Sequence, residues 1–238
     1  MAKKLEKFVI NNVFGIEPSK NYEAAGYDFY VPNIPSDISE DQFNLILNSF
    51  SKSYSAPVET LINIADELVL YVTAQFGEEF AKSPLNLLHL YCAVNNGYKD
   101  HSISEFVDKY LVFDANKTPG VWVYTSDHVK FNSGVRVKMP ASHAGIFLNK
   151  SGRGTAGWDV RAQVVDEDYT GYVHNSMAFT APKRTEKTQI YCGDKLVQMC
   201  VIPITKCELN SVSAEEFDEL TSDSKRGDKG FGSGNEKH

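Results

Sequence analysis

Between Val164 and Gly171 the chain reads Val-Val-Asp-Glu-Asp-Tyr-Thr-Gly, three carboxylates and a phenol set between β-branched residues and a glycine. The valines favour a strand. Acidic residues followed by Thr-Gly favour a turn, so this stretch is expected at the lip of a β-hairpin. A carboxylate fixed there can take a proton from water or stand beside a metal-bound phosphate. A solvated acidic turn is the plainer alternative.

Other stretches carry complementary chemistry. Asn149-Lys150-Ser151-Gly152-Arg153-Gly154 joins a hydroxyl, two cations and two glycines at a strand end, a composition suited to phosphate oxygens. In Ala25-Gly26-Tyr27-Asp28-Phe29, a strand-borne acid follows a glycine that admits a closely approaching backbone or ligand. Gln198 is the polar member of the apolar strand opened by the turn Gly193-Asp194. The tail Lys225 to Gly234 holds one aromatic and three cations among glycines, enough to stack on a base and meet a polyphosphate.

The elements that must position these groups change period along the chain. Alternation from Tyr27 to Val31 sets Asp28 and Tyr30 opposite Tyr27, Phe29 and Val31. From Pro35 to about Asn116 the period becomes helical. Ser39 to Gln42 is a capping box. A second helix begins near Pro57, with Leu61, Ile62, Ala65, Leu68, Val69 and Val72 expected inside. A third helix is framed by Ser83-Pro84 and Asn96-Gly97, and a fourth opens at Ser102 and runs towards Phe113. His89 is expected in the core or on a helix face. After Pro119 alternation returns, with strands at Val121–Tyr124, Val129–Phe131, Val135–Pro140 and His143–Leu148, and a turn at Asn132-Ser133-Gly134.

The composition is that of a globular protein, 42% hydrophobic and 23% charged. A net charge of -7 argues against nucleic acid or an anionic membrane as partner. Residues 36–116 carry 12 acidic against 4 basic side chains, so they hold the whole acidic balance and are read as structural or as a contact surface for another macromolecule. No apolar stretch follows Lys3 and Lys4, and none reaches spanning length, so neither a signal peptide nor a membrane span is expected. Cys92, Cys192, Cys200 and Cys207 lack metal spacing and are read as buried thiols of a cytoplasmic protein.

Five segments in order resemble the motifs of the trimeric dUTP pyrophosphatase (dUTPase) family: Ala25–Phe29, Lys150–Gly152, Ala162–Gly171, Gly193–Gln198 and Arg226–Gly234. The resemblance implies a mainly β, jelly-roll or β-barrel core from residues 1–35 and 117–224, an inserted all-α module at 36–116, and a substrate-covering arm at 225–238. It implies a homotrimer with sites at subunit interfaces, hydrolysing dUTP to dUMP and pyrophosphate with Mg²⁺. By position, Asp166 would activate the attacking water and Asp28 would hold Mg²⁺ through its waters. Lys150, Ser151, Gly152 and Gln198 would meet phosphates, with Lys150 standing where the family usually has arginine. Tyr169 would lie under the deoxyribose and hairpin backbone groups would read uracil. Arg226 and Ser233 would reach the γ-phosphate while Phe231 stacks on the base. Deamination of dCTP, the chemistry of a family sharing this fold, needs a glutamate soon after the hairpin, and Tyr172–Met177 has none. A protein that instead binds a partner through its acidic module is the alternative from another class.

Overall fold

The computed structural model describes residues 7–21, 23–95, 101–180 and 186–224. In chain order, strands β1 (Val9–Asn12) and β2 (Tyr27–Tyr30) precede helices α1 (Glu40–Tyr54), α2 (Val58–Phe76) and α3 (Pro84–Asn95). The short α4 (Ile103–Glu105) passes through a wide helical turn, Phe106–Tyr110, into β3 (Leu111–Phe113). Then come β4 (Pro119–Tyr124), β5 (His128–Lys138), β6 (His143–Asn149), α5 (Ser151–Thr155), β7 (Trp158–Val160) and β8 (Val164–Val165). The order closes with β9 (Tyr172–Phe179), β10 (Lys187–Tyr191), β11 (Lys195–Pro203) and α6 (Ala214–Leu220).

The strands pair antiparallel in three sheets, ordered β1-β5-β9-β7, β10-β4-β3 and β2-β11-β6-β8. The fold is mainly β with an inserted run of helices, as expected. Residues 1–204 form one compact unit and 205–238 a second. In the second, Ser213 caps α6 by accepting from the Glu216 amide.

The helices share the core of the sheets. Helix α3 is apolar almost all round, which demands cover on every side. Residues Leu85 to Val94 are buried apart from the half-exposed Tyr91, with α2 on one flank and β5 on the other. His89 stacks on Phe50 of α1 with ring centroids 5.3 Å apart and meets Phe131 of β5 edge-on. Asn86 acts as a substitute backbone. Its Oδ1 accepts from the Ile34 amide at 2.8 Å and its Nδ2 donates to the Ile34 carbonyl at 3.0 Å. The chain leaving β2 is thereby tied to α3.

Several local expectations need correction. Ile62 is exposed and Val69 only half-buried, because α2 is covered through the narrower stripe Leu61, Ala65, Leu68 and Val72. The fourth helix stops at Tyr110 because Leu111–Phe113 pairs with β4. Asn132-Ser133-Gly134 is a bulge inside one long strand: Gly134 has φ +73°, and Asn132 Oδ1 accepts from its amide at 2.9 Å. A Cβ on Gly134 would lie 2.4 Å from the Gly15 nitrogen, so the bulge needs glycine. Cys92 and Cys192 are buried, whereas Cys200 is half-buried and Cys207 exposed. The expected helix end at Asn96-Gly97 lies outside the described residues.

Candidate active site

Asp28 sits in the middle of β2, opposite Gln198 of β11. Gly26 permits this close pairing, since a Cβ there would lie 2.9 Å from the Met199 carbonyl oxygen. Asp28 is only 7% exposed, so its charge needs partners. Lys150 donates to Oδ1, and Lys195 Nζ lies 3.1 Å from Oδ2. Burial by itself would raise the Asp28 pKa. Hydrogen bonds and charge from Lys150 and Lys195 outweigh it and leave the carboxyl below its ordinary value.

Lys195 and Gln198 both line one cavity of about 500 Å³, together with Lys150, Ser151, Gly152, Arg153 and Ala156. Residues three apart in a regular strand face opposite sides. A register shift between Lys195 and Val197 brings these two to the same side. Gln198 Nε2 donates to the Asn149 carbonyl at 3.3 Å, and Arg153 pairs with Asp194 at 2.9 Å while its Nε donates to the Lys195 carbonyl at 3.2 Å. The structure therefore gathers Lys150, Ser151, Gly152 and Gln198 around one space, with Asp28 behind the two lysines. Helix α5 contributes Arg153, one of the two cations expected there, and the start of β11 contributes Lys195, which sequence reading did not single out. Their signal was present in the two motif-like segments, but facing direction depends on the bulge.

Asp166 and Tyr169 lie elsewhere. They line a cavity of about 250 Å³ with Lys130, Phe147, Ala162, Val164, Val165, Val173 and His174, sharing no residue with the first. The expected hairpin is instead a crossover, because β8 pairs with β6 while β9 pairs with β5 and β7. The turn that carries the chain between the two sheets is closed by the Tyr169 amide donating to the Asp166 carbonyl at 3.2 Å. The Tyr169 hydroxyl donates to the Tyr172 carbonyl at 2.6 Å, and burial raises its pKa, so it remains a phenol at neutral pH. From β5, Arg136 Nε donates to the Thr170 carbonyl at 2.8 Å and Lys138 Nζ to the Glu167 carbonyl at 3.4 Å. Those two side chains brace the turn. Gln163 turns its amide back onto the Val160 carbonyl at 3.0 Å. Arg226, Phe231 and Ser233 lie outside the described residues.

No group of three or more His, Cys, Asp or Glu side chains able to hold a metal occurs among the described residues. Asp28, a single carboxylate already ion-paired, fits a cation that arrives with phosphate and water oxygens of its own. Mg²⁺ keeps several waters and shares phosphate oxygens in this manner.

Comparison with known proteins gives the family. Two phage enzymes and a retroviral one are among the solved structures that resemble the chain. A variant dUTPase of Staphylococcus bacteriophage 80alpha with dUpNHpp is 13% identical, covering 96% of this chain and 98% of that one with a TM-score of 0.49. A variant dUTPase of phage phi11 of S. aureus, described for its coordination of a structural Mg(II) ion, is 13% identical over 89% and 99%, at 0.46. The EIAV dUTPase is 16% identical over 40% and 77%, at 0.34. The assignment rests on sequence: the dUTPase family profile matches residues 113–234, just over half of the chain. The chain belongs to the dUTPase family, the enzymes that hydrolyse dUTP.

Proposed function

We propose that this enzyme hydrolyses dUTP to dUMP and pyrophosphate through a site assembled from the two cavities, with Asp166 taking the proton of the attacking water. The observation that carries this reading is the cation-rich space bounded by Lys150, Ser151, Arg153, Lys195 and Gln198. Phosphoryl chemistry asks mainly for positioning and charge neutralisation, and these groups are donors of that kind. Lys150, Ser151, Gly152 and Gln198 bind phosphate oxygens, and Tyr169 supports the sugar. Bound Mg²⁺ would neutralise and orient the triphosphate, with Asp28 holding its waters. Separation of Asp166 from the phosphate cavity supports a homotrimer in which neighbouring subunits complete each site.

In this reading residues 1–35 and 117–224 are the β core, 36–116 the insertion, and 225–238 the arm supplying Arg226, Phe231 and Ser233. The enzyme works in the cytoplasm, without nucleic acid or membrane as partner. Among the described residues no helix is long and apolar enough to cross a membrane. The insertion serves as a protein contact surface, with Leu70 and Tyr71 of α2 exposed near Asp66 and Glu67.

The test is a nucleotide panel with Mg²⁺ in which pyrophosphate and ammonia are read separately. Pyrophosphate is expected from dUTP with no ammonia from dCTP. Asp166→Asn is expected to lower kcat by about 10²–10⁴-fold, the usual worth of a positioned proton acceptor. Undiminished turnover in that variant removes Asp166 from the chemistry.

A further inference from the structure

In this chain two ammonium groups occupy the one carboxylate assigned to the metal. Lys150 donates to Oδ1 of Asp28 and Lys195 lies 3.1 Å from Oδ2, so both oxygens are engaged. Lys195 is held in place by the strand bulge and by the Tyr30 ring, whose centroid lies 5.6 Å from its Nζ. The cavity in front carries three cations, Lys150, Arg153 and Lys195, and Arg153 is spoken for by Asp194 at 2.9 Å. A divalent cation approaching alone would meet two positive charges and would have to displace both from Asp28. Among the described residues no group of three His, Cys, Asp or Glu side chains stands ready to compensate. A polyphosphate meets the opposite situation, because the same two ammonium groups suit its oxygens.

We infer that Lys150 and Lys195 form a clamp that closes Asp28 to metal until a polyphosphate draws both lysines onto itself, so the anion enters before, or together with, the divalent cation. The inference rests on reading the larger cavity as the phosphate site. Lys195 becomes a further binding residue of that site, and Asp28 becomes a competitor of the polyphosphate as well as its metal-side support. Linkage then requires reciprocity: whatever the anion does for metal affinity, the metal does for the anion. Two ligands of opposite charge reinforce each other here because each removes what blocks the other.

The sign of one substitution separates this clamp from a merely structural ion pair. Asp28→Asn keeps the size of the side chain but releases both lysines and removes a negative charge from the cavity. It should therefore tighten binding of inorganic tripolyphosphate in metal-free buffer containing EDTA, by about tenfold for one nearby charge in a partly solvated site. Lys195→Gln, a change at a surface-reaching side chain, should weaken the same binding by about tenfold. Mg²⁺ titrated alone should give no saturable heat with the unaltered chain in the micromolar range, and should bind more tightly to Lys195→Gln.

Calorimetry on the full chain and both variants, with melting curves to confirm folding, reads all of these. Weaker tripolyphosphate binding in Asp28→Asn, or micromolar Mg²⁺ binding by the unaltered chain alone, overturns the clamp. Equal tripolyphosphate affinity in all three proteins also overturns it, while leaving the phosphate-site reading intact. Failure of all three proteins to bind tripolyphosphate sinks both. If Asp28→Asn does not fold, the Lys195→Gln pair of measurements decides.

Discussion

At the scale of single residues, two histidines share one environment, His89 in the core and His174 lining the smaller cavity. His89 of α3 is fully buried, and burial is the main force lowering its pKa from an ordinary 6.5 to about 3. Nearby His174 adds to the effect, and the Asn132 backbone opposes it without meeting hydrogen-bond geometry. His174 of β9 is lowered to about 4, by burial first and by Lys130 second. Both rings are neutral in the folded chain but take a proton near 6.5 once unfolded. The unfolded state therefore binds more protons between pH 6.5 and about 3–4, and stability must fall as pH drops through that window. Urea midpoints at pH 7 and pH 4.5 should show this loss. His89→Phe, which keeps a flat ring against Phe50, should shrink the difference between the two midpoints. An unchanged difference would mean that His89 is not among the groups responsible.

At the scale of elements, a chain of contacts runs from the inserted helices to the Asp166 turn. Asn132 Nδ2 donates to Ser49 Oγ at 3.1 Å and Ser53 Oγ at 2.7 Å, both on α1, while its Oδ1 holds the bulge at Gly134. The bulge re-aims the rest of β5, placing Arg136 and Lys138 under the carbonyls of Thr170 and Glu167. Truncating Asn132 to Ala strands the buried Ser49 hydroxyl and the Gly134 amide, which costs about 1–3 kcal/mol in urea unfolding. Arg136→Ala should act differently. Its side chain is exposed, so stability should change by less than about 1 kcal/mol. Loosening the turn should nevertheless lower kcat about tenfold or more if Asp166 is the reacting group, since small misplacements of such a group are costly. Arg136→Lys, able to reach a carbonyl again, should recover part of the rate. A kcat for Arg136→Ala equal to that of the unaltered enzyme would show that the turn holds its shape without this brace.

At the scale of the whole molecule, the division of groups between two cavities gives a direct test of subunit assembly. If Asp28 of one subunit works with Asp166 of another, two inactive variants can complement each other. Unfolding Asp28→Asn and Asp166→Asn together and refolding them at equal concentration should then restore about a quarter of normal activity, since each site draws its two acids independently from a mixed pool in a closed assembly. A site built from one chain leaves the mixture as inactive as its components. The same experiment applied to Asp166→Asn and a chain lacking residues 225–238 asks whether the arm, too, crosses between subunits.

Much of this was legible in the residues themselves. The turn at Asp166, the Ser39 cap and the α3 boundary at Pro84 are local devices, encoded in neighbouring side chains and therefore readable in order, whereas the pairing of β8 with the distant β6 is not. The long strand through Asn132 reads as two strands and a turn in sequence because its glycine packs closely against Gly15 and its asparagine is bonded by α1, both distant in the chain. Strand β10 went unnoticed because Lys-Thr-Gln-Ile-Tyr lacks a clear apolar alternation and is sheltered by β4. The sequence by itself determined which chemistry was available: carboxylates, ammonium groups, a hydroxyl and an amide in a fixed order. Only the tertiary structure decided that Lys150 and Lys195 close on Asp28, and that Asp166 faces a different space. Such pairings depend on strand register and on one bulge, and charge interacts through space without regard to separation along the chain.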